Sequence, residues 1–218
     1  MMRSERLATM GRLAAGLGRP DAGSVDIDPA GEGAVPVSIA MQNPDSQFVS
    51  TTVKREIDFG MENISIPDGL KEERFLESVS IFELEDLLDR NPHTLSGGEK
   101  QRLLLASVWG MNPRHLILDE PLTFLDAVSR ERVTEAVREH FHRRGNSVLW
   151  ATLDRAELGY ADRVLFLDGG SLYDYGSTEQ FLDSGHNEIL VGEGGSTVSP
   201  RPQSADKERA ETIVKIED

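Results

Sequence analysis

The chain contains no cysteine among its 218 residues, which excludes disulfide frameworks and thiolate metal sites. It is poor in positive charge. Against 38 Asp and Glu it sets only 23 Lys and Arg, a formal net charge of −15 at pH 7. Nucleic-acid binding asks for a basic face, so that class is set aside. Long apolar runs are missing as well. The longest, Leu103 to Met111 and Arg163 to Leu167, fall far short of the ~18 residues that a membrane-spanning helix needs. The opening Met1-Met2-Arg3-Ser4-Glu5-Arg6 does not lead into the apolar stretch of a secretory leader. The expected location is therefore cytoplasmic, with any membrane contact made through partners. No glycine precedes Gly11, so no loop in the first ten residues can bring backbone N–H groups close around a phosphate. No self-similarity at a period of ~20–50 residues marks a repeat array.

What is present follows a strand–helix rhythm. Periodicity predicts a helix over Glu5 to Leu17, ended by glycines and Pro20. Val35 to Met41 reads as a strand that delivers Gln42 to its end. Leu70 to Ser78 and Glu83 to Asp89 read as short amphipathic helices. Ser96 to Trp109 is a longer helix, with Ser96 as N-cap and Glu99 at the capping-box position. Strand His115 to Leu118, helix Ser129 to Arg143, strand Ser147 to Thr152 and a short helix from Arg155 follow. This alternation predicts an α/β fold with a mainly parallel sheet and helices on both faces. The five histidines show no metal-ligand spacing except His140 and His142. Those two lie on different helix faces and read as surface residues.

The chemistry is concentrated in three segments. Leu95-Ser96-Gly97-Gly98-Glu99-Lys100-Gln101-Arg102 is a two-glycine turn entering a helix, whose free N–H groups can receive an anion. Leu116-Ile117-Leu118-Asp119-Glu120-Pro121 is an apolar strand ending in paired carboxylates, suited to a hydrated Mg²⁺ and a polarised water beside a phosphate. Leu125-Asp126 comes next. In this order and spacing they resemble the signature motif, Walker B and D-loop of ATP-binding-cassette (ABC) ATPases. Met41-Gln42-Asn43-Pro44-Asp45-Ser46-Gln47, Thr52-Val53 and Ile57-Asp58-Phe59-Gly60 are similar to the Q-loop region of energy-coupling-factor, cobalt-type importer ATPases. Arg12 to Leu17 and Gly23-Ser24-Val25 resemble the helix after Walker A and its following turn. Asp162 to Ser171 and Gly176-Ser177 resemble the late strand hairpin. The resemblance spans about residues 7 to 185.

That resemblance implies a P-loop-type sheet flanked by helices, a small helical subdomain at about residues 62–95, and an incomplete N-terminal β region. It implies ATP and Mg²⁺ as cofactors. Ser96, Gly97, Gly98 and Glu99 would meet nucleotide held by a second ABC domain, in a homo-, hetero- or fused dimer. Asp119 would hold Mg²⁺ through water, Gln42 would reach the same metal, and Glu120 would act as general base. Asp126 would cross toward the other site. A transmembrane transporter subunit would place the chain on the cytoplasmic face of the plasma membrane.

Two departures stand out. Leu7 and Ala8 occupy the positions of the phosphate-loop lysine and hydroxyl residue, and Leu153 stands where the switch histidine belongs. The chain alone is thus expected to be inactive. Loss of the phosphate loop and a fragmentary gene model fit the sequence equally. The readings are the ATPase of an energy-coupling-factor-like importer taking up a metal ion or vitamin, that of another ABC branch, or an impaired module donating its signature loop. The ABC domain is expected over residues 1–190, followed by a flexible linker at 191–210. Residues 211–218 read either as the first strand of a second ABC domain or as an acidic tail.

Overall fold

The computed structural model describes residues 4–64, 66–142, 146–168, 170–189 and 211–216; the expected linker at 191–210 lies outside them. Ser4–Ala14 forms α1, and Gly16 ends its turn at φ +71°, a conformation open to glycine at little cost. Strand β1, Val37–Ala40, leads to α2, Val53–Glu62, and α3, Asp68–Ile81. Helix α4, Gly97–Gly110, feeds strand β2, His115–Asp119; α5, Ala127–His142, feeds β3, Ser147–Thr152. A hairpin of β4, Arg163–Asp168, and β5, Ser171–Tyr175, precedes the short α6, Thr178–Leu182. Strand β6, Glu211–Ile216, completes the sheet.

The sheet order is β1-β2-β3-β6-β4-β5. Strands β1, β2 and β3 pair in parallel, and β6 lies antiparallel between β3 and β4. Strands β1 to β4 therefore all run one way, with β6 and β5 opposed. Their carboxyl ends deliver Gln42, Glu120 and Leu153 to one edge, where α/β sheets build their sites.

The main core lies on the helix-rich face. Trp150, Phe82, Phe141, Phe166, Ile57, Leu103 and Leu116 are among its fully buried members. Trp109 meets Phe82 edge-on at 5.7 Å and Phe141 at 6.0 Å, locking α4 to α3 and α5. A smaller cluster, Ala151 and Leu167 with Met10, Leu149 and Leu165, seats α1 on the opposite face. Helices cover both faces.

Two expectations need correction. Glu83 to Asp89 is not a helix but one 3₁₀ turn, Glu85–Leu87, because Glu83 sits at φ +50° and breaks the chain direction while Leu84 is fully buried. His140 is not a surface residue: its side chain is 8% exposed and lies against Trp109, with ring centroids 4.2 Å apart, and 3.9 Å from Glu77. The side chain of His142 lies outside the described residues. A helix that sequence reading passed over, α2, is marked by Thr52 accepting the Arg55 N–H at 3.3 Å and by buried Val53, Ile57 and Met61.

Candidate functional site

The signature turn is built by capping. The Ser96 hydroxyl accepts the Glu99 N–H at 3.4 Å, and the Glu99 carboxylate accepts the Ser96 N–H at 2.7 Å. That reciprocal box starts α4, leaving Ser96 and Gly97 exposed. The Ser96 N–H and hydroxyl hold the Glu99 carboxyl below its usual range. The fit is tight at Gly98 and ordinary at Gly97. A Cβ on Gly98 would stand 3.0 Å from the Phe124 carbonyl oxygen, and one on Gly97 would touch the Phe124 ring at 3.6 Å.

The acidic pair ends β2. Asp119 is buried, and burial first and the Glu120 charge second push its carboxyl up to about 6. Glu120 takes φ +47°, a costly backbone for a non-glycine residue that turns it off the strand line. Its N–H donates to the Ala151 carbonyl at 3.0 Å, fixing the ends of β2 and β3 together. The Gln42 amide donates to Glu120 Oε2 at 3.0 Å, and the Thr123 hydroxyl donates to the same oxygen at 3.2 Å. Gln42, Asp119 and Glu120 thus come together at this edge.

Two clefts flank this edge. One of about 400 Å³ is lined by Gln42, Asn43, Pro44, Asp45, Gly97, Lys100 and Phe124. The other, about 310 Å³, is lined by Glu120, Thr123, Arg130, Thr152, Leu153, Asp154 and Glu157. Leu153 therefore stands in the cleft beside Glu120, where it offers no hydrogen bond. Asp126 caps α5, accepting the Ser129 N–H at 2.9 Å and the Ser129 hydroxyl at 3.0 Å, which lowers its carboxyl pKa. Phe124 and Val128, 53% and 68% exposed, stand on either side of it. Leu7 and Ala8 lie within the backbone of α1; their side chains are outside the described residues.

Sequence reading gave no role to Arg130. Its Nη1 donates to Asp154 at 3.1 Å and its Nε to the Leu125 carbonyl at 3.0 Å, tying α5 to the turn after β3. Nor did it assign the ion pair of Lys100 and Asp45.

The residues present fit a hydrated Mg²⁺. The buried Asp119 carboxyl, the half-buried Glu120 carboxylate and the Gln42 side-chain amide beside it supply hard oxygen donors. Among the described residues no cluster of three or more His, Cys, Asp or Glu is placed to hold a metal. Leu7 carries no ammonium to offer a triphosphate.

Comparison with known proteins agrees with this geometry. The model of the ABC transporter family matches residues 8–123, more than half the chain. The energy-coupling factor transporter ATP-binding protein EcfA1 of Bacillus subtilis (strain 168) is 35% identical over 193 residues, covering 85% of this chain and 68% of that protein. The EcfA1 of Oceanobacillus iheyensis is 37% identical over 182 residues, covering 80% and 65%. The chain thus spans about two thirds of the length of these relatives. The structure of CbiO1 from Clostridium perfringens, described as part of the ABC transporter complex CbiONQ, superposes with a TM-score of 0.64 at 26% identity, covering 81% of this chain and 74% of that one.

Proposed function

Since the chain belongs to the ABC transporter family, we propose that it is an ATP-binding subunit of an energy-coupling-factor-like importer, serving uptake of a metal ion or vitamin. One observation carries the reading. The capped Ser96–Gly98 turn and the Asp119–Glu120 strand end are joined through Gln42, which lines the cleft with Gly97 and bonds Glu120.

Bound Mg²⁺ would neutralise phosphoryl oxygens during hydrolysis. Asp119 and the Gln42 amide oxygen would hold its waters. Glu120, oriented by Gln42 and Thr123, has the carboxylate to take a proton from an attacking water. The Ser96, Gly97 and Gly98 N–H groups at the start of α4 offer positive potential to a phosphate held by another domain. Exposed Phe124 and Val128 beside Asp126 support burial of this edge against a second cassette domain. A transmembrane subunit would bring the pair to the cytoplasmic face of the membrane.

A second reading is favoured by Leu153 in the Glu120 cleft and by Leu7 and Ala8, which carry neither an ammonium nor a hydroxyl. There the chain hydrolyses nothing itself and lends its signature turn to an intact partner. Titration of the purified chain with a fluorescent ATP analogue separates the two. Weak, unsaturated binding at low-micromolar analogue is expected; low-micromolar, Mg²⁺-dependent affinity would overturn the donor reading. Co-expression with an intact cassette subunit and a transmembrane subunit of this importer type should yield a three-part complex. Absence of this chain from that complex would overturn the importer reading.

A further inference from the structure

Helix α3 is lightly seated. Of its described side chains only Ser78 and Val79 are buried, and no side chain caps its start after Pro67. A helix held by so little apolar contact depends on the few other links it makes. Some of those links meet at Trp109, near the end of α4. Trp109 is 4% exposed, and its indole N–H has no acceptor among the described residues. Beside it lies a cavity of about 70 Å³ whose wall includes Glu73, Arg74 and Glu77 of α3, with Asn112 and His140. The space is wide enough to admit water, so protons can reach the groups on its wall.

His140 comes from the last turn of α5 and is the residue on this wall whose charge changes nearest neutral pH. Its ring packs against Trp109, centroids 4.2 Å apart at a tilt of 47°, and against Phe141 at 5.2 Å. Its Nδ1 stands 3.9 Å from Glu77 Oε1 on α3. That separation is too long for a hydrogen bond, so a neutral ring gains little from Glu77, whereas an imidazolium is drawn to the carboxylate. The indole face and the carbonyl end of α5 also favour the charged ring. The charges on the cavity wall are Glu73, Glu77 and Arg74, all from α3; Trp109 and Asn112 carry none, and Glu139 precedes His140 on α5. Burial and Arg74 oppose the imidazolium. Against them stand two carboxylates on the same wall, and the Arg74 guanidinium is itself drawn to the Gly33 carbonyl, to which it donates.

We propose that His140 is a proton-controlled latch, which when charged holds α3 on α4 and α5 through Glu77 and Trp109. With the ring neutral, α3 rests on its apolar contacts and on the Arg74 link to Gly33. The stability that the latch contributes is present at low pH and is lost as pH rises through the titration of His140 in the folded chain. Acidification thus tightens α3 against α4, the helix that opens with the signature turn.

The test follows the His140 ring by NMR in the full chain. Glu77→Gln should lower its titration midpoint by at least about half a pH unit, about a threefold loss of proton affinity, and Arg74→Met should raise it. A double-mutant cycle of His140→Gln and Glu77→Gln, read by denaturant unfolding, should be non-additive at about pH 5.5 and additive at about pH 8.5. Between those two conditions, protection of the α3 amides against hydrogen exchange, taken relative to His140→Gln, should fall at least about threefold. A His140 ring that shows no titration, a midpoint unmoved by Glu77→Gln, or a cycle additive at both pH values overturns the latch. Should His140→Gln fail to fold, the midpoint shift in Glu77→Gln decides by itself, because the Glu77 side chain is 40% exposed and its loss leaves the core intact.

Discussion

Asp119→Asn should make the protein more stable, and the size of the gain follows from where the carboxyl sits. The side chain is 5% exposed at the end of β2, and burial together with Glu120 raises its pKa from 3.8 to about 6. The folded state thus binds a proton more tightly than the unfolded chain. Stability is highest while the carboxyl is neutral in both states, falls as pH rises from about 4 to about 6, and stays low above that. A shift of this size corresponds to a cost of up to about 3 kcal/mol at pH 8. Asparagine keeps an oxygen for the Gln42 backbone N–H and removes the charge. At about 2–4 °C per kcal/mol for a chain of this length, the variant should melt up to about 6–12 °C higher at pH 8. The two proteins should converge near pH 4. Thermal unfolding from pH 4 to pH 8 measures the difference, in which other titrating groups cancel. A variant less stable than wild type at pH 8, or a difference that does not change with pH, would refute the reasoning. It would mean that Asp119 is satisfied without a cation, against the proposal that it holds a metal.

Two further outcomes follow from the fold. Ser96→Ala removes one arm of the capping box and should cost about 1 kcal/mol, read as a fall of about 2–4 °C in Tm; no fall would mean that the first turn of α4 is held by other contacts. Deleting residues 211–218 strips β3 and β4 of five paired residues on each flank. At about 1 kcal/mol net per ladder bond, the loss is of the order of a domain's whole stability. The shortened chain should aggregate or lose its cooperative transition. Melting within about 2 °C of the full chain would show that β6 adds little.

The legible parts of this sequence were those with short-range causes. Ser96 and Glu99 announce the start of α4 because both capping partners lie within one turn. The apolar run to Leu118 announces β2 because a strand buried on both faces needs no alternation. Gln42, Asp119 and Glu120 were placed together only by the resemblance to a known family, and all three lie at or just past the ends of parallel strands at one sheet edge. What was missed depended on distance or on backbone sign. Nothing local says that Glu83 will enter positive φ, or that His140 will turn inward onto Trp109. The Lys100–Asp45 pair spans 55 positions and Arg130–Asp154 spans 24; each residue alone reads as a solvated charge. The alternating Thr212, Val214 and Ile216 signal a strand, but its seat between β3 and β4 is a matter of register, set by the partners.

The two readings divide on whether this chain's own acidic pair works in hydrolysis or the chain, its own site impaired, only lends its signature turn to a competent partner site. The donor reading is the one that makes the sharper claim. Steady-state ATPase of the complex with an intact cassette subunit tests it most directly, with substitutions made only in this chain. Gly97→Asp puts a negative charge where a phosphate must approach and should abolish turnover. Glu120→Gln, confined to the impaired site, should leave most of it. Turnover that survives Gly97→Asp but is lost with Glu120→Gln would contradict the account and make this chain's own site the working one.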